Sequence, residues 1–215
     1  MNLDWYYANK IQLDHSIGID EVGRGPLAGP VVATAVWISS ELALQLEKSN
    51  KLVVRDSKKM SHAQRMKVVE WLRLQPQELL RYAIGQATVE EIDQLNILNA
   101  TMLSMERALN SLGIFKKYAL VDGNRAPDLK NIQTRLVVKG DDKVLSISLA
   151  SIIAKEHRDD SMRKLALEYP HYGWETNVGY GSQQHLRAIS MYGITPHHRK
   201  TFNRVATFAK GSQCT

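Results

Sequence analysis

The sequence reads as an α/β domain, and three features predict it. Short aliphatic runs bounded by glycine or polar residues alternate with longer segments of helical periodicity. A length of 215 residues suits one large domain, or one with a small appendage, and 44% hydrophobic residues supply a full core. The chain carries no internal repeat, low-complexity tract or linker-like shift of composition, which favours a single unit over 1–215.

The elements follow in order. Strands are predicted at residues 17–21, 31–38, 80–87, 118–122 and 135–138, each aliphatic and punctuated by glycine or polar residues. A helix from 61 to about 74 takes Ser61 as its cap, and "TVEE" at 88–91 has the spacing of a capping box. Residues 95–112 keep apolar side chains at Leu95, Leu98, Met102, Met105 and Leu109 and stop at Gly113. The longest helix is predicted from about 144 to 169, with Pro170 just beyond, and another at 183–191 halts before Gly193. Residues from about 175 to 215 read as a helical or loop-rich extension.

Charge and cysteine usage narrow the class. The formal charge is +6, from 28 Lys+Arg against 22 Asp+Glu. Basic residues bunch at Lys48, Lys51, Arg55, Lys58 and Lys59, at Arg135, Lys139 and Lys143, and in "HHRK" at 197–200. Such patches suit a polyanion, nucleic acid above all, although solvated surface accounts for charge alone equally well. The longest apolar run, about 31–38, is far below the roughly 18 residues of a membrane span. No basic segment followed by an apolar stretch opens the chain, and Cys214 is its one cysteine, so a reducing cytoplasm is the expected home.

The acids are out of place for a core. "GIDEVGRGPLAGPVV", residues 18–32, ends an apolar strand on Asp20 and Glu21 and continues into a glycine-rich turn. "ALVDG" puts Asp122 at the end of a second apolar strand, and "LVVKGDD" puts Asp141 and Asp142 just after a third. One such acid is explained by a solvent-reaching strand end or a helix cap; three beside glycine are not independent accidents. If the strands are neighbours, Asp20, Glu21, Asp122 and Asp141 meet at one sheet edge. Two unit charges about 4 Å apart cost about 4 kcal/mol at an effective dielectric near 20. Either some carboxyls are protonated or a cation sits among them. No HExxH, cysteine pair or GxxxxGK[ST] loop is present, and an all-oxygen ligand set favours Mg2+ or Mn2+ over zinc. A two-cation carboxylate site acting on phosphodiesters is the chemistry such a set supports. Because successive strand side chains face opposite ways, the strand is expected to end or bulge at Asp20–Glu21, with Gly23 allowing it.

These motifs resemble ribonuclease HII, the type 2 ribonuclease H family, from about residue 17 to 199. "GIDEVGRGPLAGPVV", "DSKKMS", "EIDQLNILNATMLSM", "VDGNR", "VVKGD" and "SLASIIAKEHRD" follow one another in the family's order. The resemblance implies a ribonuclease H-like fold, a mixed five-stranded sheet flanked by helices, with a C-terminal helical part that contributes to substrate binding. It implies a metal-dependent endonuclease that hydrolyses the RNA strand of RNA/DNA hybrids and incises duplex DNA at embedded ribonucleotides, leaving 5′-phosphate and 3′-hydroxyl ends. The family's catalytic and metal-binding carboxylates map onto Asp20, Glu21, Asp122 and Asp141, served by Mn2+ or Mg2+. Its glycine-arginine-glycine element maps onto Gly23, Arg24 and Gly25, which would read the 2′-hydroxyl that only RNA carries. Tyr180 matches the tyrosine of the "GYG" element, and Lys58 a position near substrate phosphate. A monomer is expected.

Two departures stand out. "NVGYGS" puts Val178 where many relatives have lysine, and "KEHRD" puts Glu156 where an apolar residue is usual. Several residues have blander expectations: His197 and His198 as a solvated basic tail, His185 as a surface helix residue, Met102 and Met105 as core, Asp142 facing solvent or the next helix's first turn. Lys58 and Lys59 beside Asp56 also read as a surface ion-pair cluster worth little. The competing functions are a junction-resolving nuclease of the same fold and a noncatalytic hybrid-binding module. The glycine-arginine-glycine element speaks against the first, and four intact acids against the second.

Overall fold

The computed structural model describes residues 3–49 and 52–209, so Lys51 and Cys214 lie outside the described residues. Its centre is a five-stranded sheet in the order β3-β2-β1-β4-β5. The strands are β1 Ser16–Val22, β2 Val31–Ile38, β3 Leu80–Ala87, β4 Tyr118–Asp122 and β5 Gln133–Val137. β1, β2 and β3 form an antiparallel meander, while β4 runs parallel to β1 and β5 parallel to β4. The sheet is therefore mixed, as expected.

The helices are α1 Asp4–Ala8, α2 Ser40–Ser49, α3 His62–Arg73, α4 Val89–Leu112, α5 Gly140–Lys143, α6 Leu145–Glu168, α7 Trp174–Asn177, α8 Gln183–Tyr192 and α9 Asn203–Ala209. The caps read from sequence operate. Ser61 and Gln64 close a reciprocal box on α3, and Thr88 and Glu91 another on α4. α4 starts earlier than its apolar spacing suggests and is interrupted at Asn96, where φ is 68°. There the Asn96 carboxamide oxygen accepts from the N–H groups of Leu98 and Asn99, capping the second segment anew.

Strand alternation sorts two cores. Ile17, Ile19, Ala33, Ala35, Ala119 and Val121 pack beneath Met105, Ala108 and Leu109 of α4. On the other face Val36, Leu120 and Val137 meet α6 through Ile147 and Leu149, and α3 through Val68 and Leu72. A third cluster joins Leu27 and Ala28 to Met162, Trp174 and Ile189. Through it the C-terminal helices are fastened to the segment that follows β1. Among the described residues no helix is long and apolar enough to cross a membrane.

Two expectations are corrected here. The β1–β2 ladder continues without a bulge from Gly18↔Val36 to Val22↔Val32, so the strand neither ends nor breaks at Asp20–Glu21. And the "HHRK" stretch is no solvated tail: His198 and Arg199 are fully buried, as is His185. The core accepts them because each finds hydrogen-bond partners, the condition under which burial of a polar group is tolerated.

Candidate active site

The acids gather where the parallel strands end. β1 pairs with β4 only as far as Ile19↔Val121, so beyond it Asp20, Glu21 and Asp122 share the open carboxyl ends of two adjacent strands. Brackets of strand C-termini are where ligands bind in open α/β sheets. Since the ladder to β2 is regular, Asp20 lies on the α6 face and Glu21 on the α4 face. Asp20 is buried, whereas Glu21, Asp122 and Asp141 are half-buried. Asp141 arrives from the first turn of α5, and the N–H of Gly140 donates to Asp122 Oδ1 at 2.6 Å, tying that turn to the end of β4.

One negative field links the four. Burial pushes the Asp20 carboxyl well above the usual range, and the charges of Glu21 and Asp122 push it further. Glu21 is raised by burial, opposed by Arg24, with Asp122 adding to the rise. Asp141 is raised by burial and then by Asp122, while Lys58 opposes. Asp122 thus acts on each of the other three. Asp142, by contrast, is exposed and ion-paired with Lys59 at 3.0 Å.

The four acids gathered at this end of the sheet offer oxygen donors, which fits a hard divalent cation. Thr34 adds a sign of the same kind. It sits across from Asp20 in the ladder, on the same face, and its buried hydroxyl has no hydrogen-bond partner among the described residues. The arrangement is open rather than a finished cage: among the described residues no group of three or more His, Cys, Asp or Glu is drawn together tightly enough to enclose an ion.

The turn after β1 is held from behind. Arg158, on α6, donates to the carbonyls of Pro30, Val178 and Ala28 at 3.0, 2.9 and 3.0 Å. Arg199 donates to Gly29, Arg24 and Gly23 at 3.0, 3.0 and 2.5 Å. Backbone bonds add to the clamp: Leu27 N–H to Gly179, Gly29 N–H to His197, and Arg199 N–H to Leu27. Both guanidinium groups are wholly buried with carbonyl partners, and burial brings Arg158 down to about 10 and Arg199 to about 9. At Gly23 φ is +93°, and a Cβ would lie 2.3 Å from Arg158 Nε, so only glycine lets the clamp close. Gly25 differs: its missing Cβ would meet nothing nearer than Tyr180 Cε1 at 3.5 Å, an ordinary contact. The fold does not demand glycine there.

The remaining predicted residues converge on the same end. Tyr180, 46% exposed, lies against Gly25. Arg24 is exposed and contacts Glu21 at 3.3 Å. Lys58 is exposed on the turn Ser57–Lys59, makes no ion pair among the described residues, and is felt by Asp141. Ser57 joins that turn to α6 through a 2.9 Å bond with Ser151, whose side chain counters part of the rise of the Asp20 carboxyl. A cleft of about 530 Å³ beside α1, lined by Tyr6, Leu13 and Leu44, contains none of these residues.

Sequence reasoning missed Ser151, Arg158, Arg199 and His185. A signal existed for the first two. Ser151, Lys155 and Arg158 recur at helical spacing, a polar stripe along one side of the helix that begins within its apolar first half.

Comparison with known proteins agrees with this geometry. The sequence model of one family, described as Ribonuclease HII, matches residues 17–207. The chain belongs to the ribonuclease HII family. Ribonuclease HII of Rhodospirillum rubrum is 50% identical over 187 residues, covering 86% of this chain and 82% of that protein. That of Pelagibacter ubique is 45% identical over 189 residues, covering 88% and 96%. Among solved structures, the ribonuclease H2 of Pyrococcus horikoshii superposes with a TM-score of 0.73 at 28% identity, covering 93% of this chain and 99% of that one. Bst-RNase HIII in complex with Mn2+ shares the fold, with a TM-score of 0.67 at 15% identity over 96% of this chain and 72% of that one. The sheet is thus the ribonuclease H-like one, and membership of the ribonuclease HII family makes this chain a nuclease with ribonuclease H activity on RNA/DNA hybrids.

Proposed function

We propose that this ribonuclease HII cleaves both long hybrids and duplex DNA at embedded ribonucleotides, using two Mn2+ or Mg2+ ions held by Asp20, Glu21, Asp122 and Asp141. The observation that carries the reading is the shared field of the four acids, with Asp122 raising the other three. Bound there, the ions would supply an activated water and stabilise the leaving oxygen, giving 5′-phosphate and 3′-hydroxyl ends. The chain's own groups do the rest. Asp20 is fixed by the Glu21 N–H at 2.7 Å, so one ligand is oriented before any ion arrives. The clamped Gly23–Arg24–Gly25 turn brings backbone to the 2′-hydroxyl, and the missing side chain at Gly25, beside Tyr180, lets it approach. Lys58 offers a point charge to phosphate. The Tyr180 ring stacks on the next sugar, where a deoxyribose presents an apolar face and a 2′-hydroxyl would lose its hydrogen bond. The protein works as a single-domain monomer in the cytoplasm, its segment from about residue 175 onward contributing to substrate binding.

The test uses Mn2+ or Mg2+ and duplexes carrying one, four or no ribonucleotides. Expected are cuts on the first two, none on the all-DNA duplex, and loss of cleavage with chelator. Cutting of the all-DNA duplex would overturn the reading in favour of a structure-selective nuclease.

A further inference from the structure

Beneath Tyr180 lies a buried hydrogen-bond chain whose proton positions are fixed by its ends. The Thr195 backbone N–H donates to His198 Nδ1 at 2.9 Å, so that nitrogen is bare. A neutral His198 then carries its proton on Nε2, which stands 3.0 Å from His185 Nε2. The indole N–H of Trp174 also donates to His185 Nε2, at 3.1 Å. Two donors converge on that atom, so it too is bare. His185 must hold its proton on Nδ1, and this N–H donates to the carbonyl of Tyr180 at 2.9 Å. A carbonyl only accepts, so both ends of the chain agree. Burial favours the neutral forms this pattern requires, bringing His198 down to about 3. An added proton would set N–H groups against each other.

We propose that His185 is a positioning residue for Tyr180, its tautomer locked by Trp174 and His198 so that Nδ1–H fixes the backbone beneath the ring facing Gly25. The inference rests on Tyr180 reading the ribonucleotide–deoxyribonucleotide junction. A chain built this way presets the ring: Gly179 N–H and Tyr180 N–H are held by Asn177, and Ser182 N–H bonds the same Tyr180 carbonyl. Among the described residues, the His185 contact is what ties that carbonyl to the buried interior of the C-terminal cluster.

Two substitutions separate positioning from packing. In His185→Asn the amide nitrogen reaches about where Nδ1 stands, keeping the donor to Tyr180 and losing the Trp174 side. In His185→Gln the amide reaches the Nε2 end, keeping an acceptor for Trp174 and losing the Tyr180 donor. The readout is the ratio of kcat/KM on a single-ribonucleotide duplex to that on a long hybrid, with thermal melting measured alongside. His185→Gln is expected to lower the ratio about three- to tenfold, the worth of one hydrogen bond, and His185→Asn to leave it near wild type. In a Tyr180→Ala background His185→Gln should change the ratio no further. Equal ratios for both variants overturn the positioning role. A Tyr180→Ala ratio equal to wild type overturns instead the junction reading of Tyr180. The unaltered protein offers a third check: ¹⁵N NMR of the His185 ring should show Nδ1 protonated and Nε2 bare near neutral pH, and the opposite tautomer would overturn the assignment.

Discussion

Asp122 carries no unusual partner except Gly140, yet its charge reaches Asp20, Glu21 and Asp141. Asp122→Asn should therefore abolish most metal-dependent turnover, because one anionic ligand proposed for the ions is lost, while hybrid binding persists. The same change should raise the melting temperature of metal-free protein at pH 7. Asp20, Glu21 and Asp141 bind protons more tightly folded than unfolded, so their contribution to stability is full below the unfolded range near about pH 4. It is lost as pH rises through the folded values, and removing Asp122 lowers those values. Melting curves at pH 3 and pH 7 check it: the gain should vanish at the lower pH. The neighbours Asp141 and Asp142 should part ways. Asp141→Asn should lose most activity, whereas Asp142→Asn gives up only a solvent-screened surface pair with Lys59 and should cost little. The reverse result would place the ligand one residue later. Lys58→Ala should weaken binding to every hybrid alike and reduce the salt slope by about one, seen in titrations at several salt concentrations.

Elements place these residues, and the turn between β1 and β2 is the one most exposed to substitution. Gly23→Ala should cost about 2 kcal/mol or more in denaturant unfolding, because it adds positive-φ strain to a collision with Arg158 and the Pro30 carbonyl. Gly25→Ala should unfold like wild type and yet cleave poorly, since its Cβ meets only an ordinary contact inside the chain. Equal stability loss by both would show that Gly25 serves the fold. Much of this level was legible in the sequence. Aliphatic runs ending in acid and glycine marked β1 and β4, and reciprocal caps marked the starts of α3 and α4. The acid pair's geometry was not, because the β1–β2 register that keeps the strand regular through Val22 is a tertiary fact. Arg199 was illegible for a similar reason. Arginine ordinarily reads as surface, and only the distant carbonyls of residues 23–30 make its burial affordable.

At the scale of the molecule, the glycine turn belongs as much to the C-terminal segment as to the strand that leads into it. An isolated bridge pairs Ala28 with His198, and Arg199 reaches carbonyls 170 to 176 residues away. Arg199→Met should therefore speed hydrogen exchange at Leu27 and Gly29 by at least about tenfold, the worth of the hydrogen bonds it removes, while Ile19 in the sheet is unchanged. Uniform acceleration would mean global destabilisation instead. The long span also has a consequence for how the protein comes into being. During synthesis the residues that bear all four acids leave the ribosome well before Arg199 does, by several seconds at about 5–20 residues per second. Contacts this distant in sequence are among the slowest to form. A nascent chain can thus assemble its acidic strand ends early while the clamped glycine turn, proposed above to read the sugar, is still unmade. On that proposal, discrimination between sugars is the last property the chain acquires.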